Sequence, residues 1–595
     1  MGINSEMMVN VFLFQLSSQK HAREWQLLAL LFIIAITLIF VGLGFRDPWP
    51  ADEPRFAQIA KEMVETGQWF FPARAGEFYP DKPPVFMWSI AIFYLLLGSL
   101  NIAFLLPSAL CSLLTIYLVF DIGRKLWNPE TGFIAGLLLV FSFQFMLQAK
   151  SAQIDAMECA WVTLGCYGLL RFLLFDAKWR WFYLACFFMG IGVITKGVGF
   201  LPILILIPYL LMRFICHCHS IRKPNNESIV KWLVGLLVML LAIGLWFVPM
   251  LSLVELSQNP LLEQYRDNIL FKQTVTRYAD SWHHIKPFWY YFVAVIPAFW
   301  LPLSILIPWL IPHWLRAIKK QDARVILPLA WIILVLVFFT ISPGKRGVYI
   351  LPALPMLALN SAPYVRQILQ RRAVSWIVWV LVVGLSTGLL VFALAGLNNL
   401  SFTEKLVTEY AISPWYFFMS IGLVGLFGAF ITYKQQKWRS WPIFFSGLWI
   451  LYCTWGYGLL ETVKTPKHIF SQIQKELVSQ QVLPQNAELG LVDFAEQFIL
   501  FSPYPITHFG YHTDNAEQVK AAYQWIGNTK NRFILLSFEL VEGLCFDKNK
   551  AIHLGFAHRT DWVLLDTASR IEGCPKPQLH KPQGNIIEYQ YIPKP

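Results

Sequence analysis

The sequence predicts a polytopic α-helical membrane protein of about thirteen spans with a small C-terminal α/β domain, and three observations carry that prediction. Of its 595 residues 56% are hydrophobic and only 14% charged, where a soluble domain has about one quarter charged. Apolar runs long enough to cross about 30 Å of hydrocarbon recur from residue 26 to residue 460 and then stop. The Lys and Arg of this chain, whose formal net charge is +12, fall in short clusters between those runs. A nucleic-acid binder gathers its cations on one face or in one tract, so these clusters read as topology signals and no nucleic-acid partner is expected.

Taken in order, the expected spans are 26–45, 103–120, 131–148, 156–175, 181–196, 199–215, 230–252, 287–311, 323–342, 347–363, 374–396, 414–433 and 440–460. The first has no charge over 27–45 and no small-residue cleavage pattern after it, so it reads as a retained anchor and not a signal peptide. The run 85–99 is short and follows Pro83 and Pro84, and reads as a helix returning to the interface. With the N-terminus cytoplasmic, every expected inner loop is basic: Arg124 and Lys125, Lys178 and Arg180, Arg213 and Arg222, Arg316 and Lys319, Arg366 and Arg371, Lys434 and Lys437. Counting 85–99 as a full span would put these clusters outside. The odd count places the tail on the far side of the membrane.

Two domains follow: a membrane domain over 1–460, with an outer loop at 46–84, and a soluble α/β domain over 461–595. Within the tail, ELGLVDF and RFILLSFELV read as buried strands and the stretch from Asn515 to Trp525 as a helix. Seven of the nine cysteines fall in or beside spans, where a thiol behaves as a small hydrophobe. Cys545 and Cys574 stand alone in the tail and are its disulfide candidates if it lies outside the cytoplasm.

Three outer segments are too long or too polar to be turns: 46–84, 253–286 and the tail. The first is the most informative. Asp47, Asp52, Glu53, Arg55, Asp81 and Lys82 crowd close to the bilayer surface, and 53–66 reads as an amphipathic helix lying along it. Ionisable groups at that depth are costly and persist mainly where they pair or meet a polar substrate; the plainer reading is a solvated loop. Asp155 opens the fourth span on the same side, either facing Asp52 or only complementing a helix dipole, an effect worth under about 1 kcal/mol. Lys345 and Arg346 lie outside although the other basic clusters lie inside, which suggests a phosphate to be held or a short loop with incidental charge. Two look-alikes carry less. The Cys216, His217, Cys218, His219 tract lacks a second ligand pair at zinc spacing, and GIGVITKG at 190–197 sits in an apolar span without the strand-loop-helix context of a phosphate loop.

The set DEPRFAQIAKEM, YPDKPPVFMW, LPSAL, a lone Asp after an outer turn, and SPGKRGVYILPALP resembles the bacterial aminoarabinose (4-amino-4-deoxy-L-arabinose) lipid A transferases and their relatives in the protein mannosyltransferase superfamily. The resemblance covers the membrane region. It implies a GT-C glycosyltransferase fold, in which a sugar on a polyprenyl (undecaprenyl) phosphate enters a cavity at the outer face of the bacterial inner membrane and passes to an acceptor there. It implies Asp52 and Asp155 as the catalytic acids. Arg55, Lys82, Lys345 and Tyr349 then bind the donor phosphate, with Glu53, Asp81 and Arg346 in support. The chain departs from the family in having Asp81 where Glu is common and Leu106 where Arg precedes Pro-Ser-Ala. The usual histidine pair that helps hold a metal is also displaced: Lys272 and Gln273 stand near that point, with His283 and His284 further on. Asp81, His283 and His284 are therefore the only metal candidates, and whether a divalent cation takes part, and whether the sugar is aminoarabinose or another pentose or hexose, stays open.

No nucleotide sugar is available outside the cytoplasm, so a phosphate on a lipid is the leaving group the location demands. Cations would stabilise its developing charge, and a carboxylate would steady an oxocarbenium-like centre or act as general base to a hydroxyl acceptor. A phosphate acceptor, as on lipid A, needs no base. The acceptors left open are lipid A, another envelope glycan, or a protein hydroxyl as in protein O-mannosyltransferases, and the chain is expected to be a monomer. A flippase or transporter of lipid-linked sugar is the alternative from another class. It would want ionisable groups at mid-membrane and repeated halves, whereas here the charges gather at one face.

Overall fold

The computed structural model of the chain describes residues 5–215, 221–224, 226–271, 285–400, 412–541, 545–557, 560–577 and 588–592, with side chains from residue 22 onward. The 216–219 tract and Lys272, Gln273, His283 and His284 lie outside these residues. Among the described residues eight helices are long and apolar enough to cross a membrane, or up to ten if each of two bent pairs is one span. That is fewer than the thirteen expected from hydropathy. All thirteen segments contain helix, but several are short, broken or capped by charge. Leu201–Phe214 is short, and Trp179–Lys196 carries Arg180 near one end and Lys196 at the other.

The first elements in chain order are α1 (Ser5–Phe40), α2 (Glu53–Thr66), the strands β1 (Ala73–Arg74) and β2 (Glu77–Phe78), and α3 (Val85–Leu97). They are followed by α4 (Leu100–Ala103), α5 (Leu106–Leu126), α6 (Pro129–Val140), α7 (Phe143–Ala149), α8 (Ile154–Arg171) and α9 (Trp179–Lys196). Lipid-facing and protein-facing stripes are distinct. Along Ile229–Ser257, Leu233, Leu237, Leu240, Leu241 and Leu245 are more than half exposed, while Gly235, Ala242, Trp246 and Met250 are buried on the opposite stripe. Small residues set the closest helix approach: a Cβ on Gly132 of α6 would stand 2.4 Å from the carbonyl oxygen of Phe120 in α5.

Two breaks shape the end of the bundle that carries the first loop. α6 and α7 meet at 72°, and Tyr291–Phe299 meets Leu303–Lys319 at 108°. Polar side chains bind the freed backbone, as an interrupted membrane helix requires. Ser142 donates to the Leu138 carbonyl at 2.6 Å, and the Phe143 N–H donates to the Leu301 carbonyl at 3.2 Å. Gln144 fastens this corner, accepting from the Trp300 indole at 2.7 Å and donating to the Gly347 carbonyl at 2.8 Å.

α2 occupies the expected span. Pro54 stands in its first turn and Gly67, at φ 75°, closes it with an N–H bond to the Met63 carbonyl. Much of its surface is covered by protein, including the polar Gln58 and Glu62. Phe56, Ile59, Ala60 and Met63 are buried, Phe56 packs edge-on against Phe86 of α3, and the tail helix Glu496–Phe501 covers the other side.

The tail forms a six-stranded mixed sheet in the order β6-β7-β5-β3-β4-β8, from β3 (Glu488–Leu491), β4 (Ile506–His508), β5 (Arg532–Ser537), β6 (Ile552–Ala557), β7 (Thr560–Leu565) and β8 (Tyr589–Tyr591). Both expected strands and the expected helix, Asn515–Ile526, are present. β3 pairs in parallel with β4 and β5 and is buried on both faces, which suits its apolar sequence. Cys545 and Cys574 are joined by a disulfide.

The carboxyl ends of β3 and β4 face the β1–β2 hairpin of the first loop. His508 lies fully buried with Nε2 2.9 Å from the Ala75 carbonyl oxygen, stacked on Tyr589, and the Tyr511 N–H donates to Glu77 at 2.9 Å. Glu62 reaches the same hairpin from α2, accepting from the N–H of Ala75, from the N–H of Gly76 at 3.2 Å and from Gln58 at 2.6 Å. Burial pushes the Glu62 carboxyl up to about 7 and the His508 imidazole down to about 4. The two groups act on stability with opposite sign. His508, whose ordinary value is 6.5, contributes fully above that pH and loses its contribution as pH falls toward 4. Glu62, whose ordinary value is 4.5, contributes fully below that pH and loses its contribution as pH rises toward 7. In wild type the two slopes offset one another across the shared window. Thermal melts of the full chain against pH are expected to fall toward low pH in Glu62→Gln and toward neutral pH in His508→Gln. Parallel curves for the two variants would refute the assignment.

Candidate functional site

Asp52 stands immediately before α2, but its carboxylate does not cap that helix. It accepts from Arg346 at 3.0 Å, lies 3.7 Å from Arg55 and 3.5 Å from the side-chain amide of Gln153. The backbone holds it there through a brace of buried charge. Arg46 pairs with Glu53 at 2.5 and 2.8 Å and donates to the Lys150 carbonyl at 2.8 Å, while Glu53 also accepts from the N–H groups of Trp49 and Ala152 at 2.8 and 2.9 Å. Glu53 is thus committed to fastening the end of α1 to the α7–α8 turn. Asp47 pairs with Lys467, and Trp49 donates to Glu461 at 3.0 Å, so the same loop is tied to the last membrane helix.

Asp155 enters from α8, 8% exposed, and pairs with Lys196 at the last residue of α9. The sequence GIGVITKG explains why Lys196 ends there. Gly197, at φ 92°, stops the helix, and the returning chain packs so tightly that a Cβ on Gly199 would stand 2.3 Å from the backbone of Gly192. The Lys196 ammonium also lies 4.8 Å from the ring centre of Tyr349. Glu158, one turn along α8, is fully buried, and neither carboxylate oxygen has a hydrogen-bond partner among the described residues. Arg346 is hydrogen-bonded to Asp52 and also feels the charge of Asp155. Burial opposes its charge, but Asp52 and then Asp155 outweigh that and hold its proton more tightly than usual.

The structure therefore brings together Asp52, Asp155, Arg55, Arg346 and Tyr349. Lys345 behaves differently from its neighbour: it is 4% exposed and donates to the carbonyls of Ser342 at 2.6 Å and Lys286 at 3.1 Å. Arg346 is extended, with φ −117° and ψ 142°, so successive side chains leave on opposite sides and only one of the pair reaches Asp52. Asp81 and Lys82 are half-buried just before α3, on the same loop. No group of three or more metal-ligating side chains exists among the described residues, and the metal candidates His283 and His284 lie outside them. Lys196, Glu158 and Arg46 were not singled out from the sequence. Each interrupts or borders an apolar run, and a charge breaking hydropathy there was the available signal.

A cavity of about 120 Å³ opens beside Asp52, lined by Trp49, Lys150, Gln153, Trp449, Tyr452 and Tyr457. Sites that bury a drug-sized ligand run to about 300–1,000 Å³, so this is a subsite, with aromatic faces beside polar groups. At one end of a helical bundle the chain thus gathers two carboxylates, two arginines and a lysine beneath the C-terminal sheet domain. Cations beside carboxylates can hold an anionic group while facing a developing positive charge.

Three comparisons agree on the group. The family described as dolichyl-phosphate-mannose-protein mannosyltransferase matches residues 81–247. Among curated relatives, an undecaprenyl phosphate-alpha-4-amino-4-deoxy-L-arabinose arabinosyl transferase of Pseudomonas fluorescens is 33% identical over 57% of this chain and 59% of its own length. One from Pseudomonas savastanoi pv. phaseolicola is 28% identical over 79% of this chain and 84% of its own. Among solved structures, ArnT from Cupriavidus metallidurans bound to undecaprenyl phosphate superposes with a TM-score of 0.68 at 20% identity, covering 90% of this chain and 97% of that one. The chain has the fold of ArnT, the GT-C type expected from the motifs. The motifs that resemble the aminoarabinose transferases are thus matched by sequence similarity to proteins of that name. The matched stretch spans little more than half the length of the first two relatives, 59% and 55%.

Proposed function

We propose that this protein transfers a sugar from a polyprenyl-phosphate carrier to lipid A or another envelope acceptor at the periplasmic face of a bacterial inner membrane. The observation that carries the reading is the cluster in which Arg346 donates to Asp52 at 3.0 Å and Arg55 lies 3.7 Å from it, with Asp155 paired to Lys196. It supplies cations for a leaving phosphate beside carboxylates for the sugar, all at one end of the bundle. The arabinosyl transferases named above, and the ArnT structure with undecaprenyl phosphate, support that donor class.

In the proposed reaction the bond from the sugar's anomeric carbon to the phosphate oxygen breaks, and polyprenyl phosphate leaves with the electron pair. A bond forms from that carbon to the acceptor oxygen. Arg55 and Lys82 hold the departing phosphate, with Lys345 and Tyr349 shaping the wall behind it. Asp52 faces the developing positive charge. If the acceptor is a hydroxyl, its proton passes to Asp52; an acceptor phosphate brings none.

Orientation follows the same reading. Arg124 and Lys125 end α5, and Lys178 and Arg180 begin α9, so these clusters lie at the end of the bundle away from Asp52. That end is cytoplasmic under the positive-inside rule, with the N-terminus inside and the 461–595 domain outside. Residues 1–460 form the catalytic domain.

The test is transfer of label from polyprenyl-phosphate sugars to a membrane extract, with the product identified. Wild type should label lipid A or another envelope acceptor, and Lys82→Ala should raise the donor KM by about tenfold or more, the loss of one charge-assisted phosphate contact. Movement of intact donor across the bilayer with no transfer would instead make the chain a flippase.

A further inference from the structure

In open α/β sheets the carboxyl ends of parallel strands are where ligands bind. In the tail of this protein that place is taken by its own first loop. Beyond β3 the chain enters the helix Glu496–Phe501, and the Glu496 carboxylate, with its side chain 12% exposed, reaches across to accept from Arg55 Nε at 2.7 Å and from Arg74 Nη1 at 3.0 Å. Arg74 is itself buried, with its guanidinium 3.6 Å from the ring centre of Tyr511 and flanked by Phe494. The partners of Arg55 therefore come from two domains. Glu496 binds the Nε edge of its guanidinium, while Nη1 lies toward Asp52 at 3.7 Å. Tyr79 lies 5.9 Å from the same group.

A long side chain gripped at its inner nitrogen presents its two outer nitrogens in a fixed plane, which is the geometry a phosphate takes from arginine. We infer that Glu496 of the soluble domain is a positioning residue of the transfer site, orienting Arg55 toward the donor phosphate. The inference rests on the donor-phosphate role of Arg55 given above. The tail then contributes to donor recognition without touching the donor, and Arg74 anchors the Glu496 carboxylate so that it does not swing with substrate.

A double-mutant cycle on the full chain tests this, reading donor KM and kcat separately for wild type, Arg55→Ala, Glu496→Ala, Glu496→Gln and the Arg55→Ala/Glu496→Ala double variant. A misplaced positioning group costs about 10- to 100-fold in kcat/KM, and that loss is expected in Glu496→Ala, mainly through KM. Glu496→Gln, which keeps an acceptor oxygen in place, should recover most of it. In the Arg55→Ala background, removing Glu496 should change donor KM by less than about twofold, because the group it acts through is gone. If Glu496→Ala does not purify, Glu496→Asp keeps the charge but withdraws it by one methylene and should show the same loss. Full additivity in the double variant would overturn the inference and leave Glu496 as a domain anchor only. An Arg55→Ala variant with wild-type donor KM would instead remove the phosphate role of Arg55 itself, a different failure visible in the single variant alone.

Discussion

Asp52→Asn is expected to lower the rate of sugar transfer by about 10²- to 10⁴-fold, with donor affinity changed far less. The asparagine fills the same space before α2 and still accepts a hydrogen bond from Arg346, now 3.0 Å away, so the loop keeps its shape. On the proposed reaction, what disappears is the negative charge facing the anomeric carbon. Arg346 and Arg55 then face that carbon with no carboxylate between them, which disfavours the cationic transition state while leaving phosphate binding intact. A single-turnover measurement at saturating donor separates the two effects. A rate within about threefold of wild type would remove Asp52 from the chemistry and make it a spacer between two arginines.

The second large effect concerns Lys196. It pairs with Asp155 and lies beside the buried Glu158, so Lys196→Met leaves acidic groups in the membrane domain without their nearest cation. Breaking a buried pair from one side costs about 3–5 kcal/mol. The purified protein in detergent should therefore unfold at a clearly lower temperature. Removing the second charge as well, in Asp155→Asn/Lys196→Met, should restore part of the loss, since the uncompensated charge and not the lost contact dominates the penalty. A Lys196→Met variant as stable as wild type would show that the Asp155–Lys196 pair adds no net stability.

Hydropathy made the membrane domain legible because a bilayer permits few alternatives, and turn and strand signals made β3, β5 and α2 legible because each is a local pattern. The number of spans was less so. A break such as that between α6 and α7 keeps the run apolar while turning the chain by 72°, and composition does not register the angle. Asp52, Asp155 and Arg55 were legible as charges where charge is costly. Lys196 was not, because its meaning lies in a partner 41 residues earlier, and GIGVITKG reads first as glycines in an apolar span. The short strands β4 and β8 carry too few residues to show an alternation. Glu496 had no local signal at all: it is one acid among many in a soluble stretch, 441 residues from the arginine it holds.

That separation bears on how the molecule is made. A chain interrupted before β3 already contains all the described helices long and apolar enough to cross a membrane, along with Asp52, Arg55 and Asp155, yet it lacks the carboxylate and strand ends that grip the first loop. Those parts follow the membrane helices in the chain and close a loop spanning most of it, a slow kind of contact to form. A molecule cut there would keep Arg55 and Arg74 of the first loop but not the carboxylate that joins them. The order of the chain thus sets the order in which that ion-pair network can be finished, with the cations early and their shared anion late.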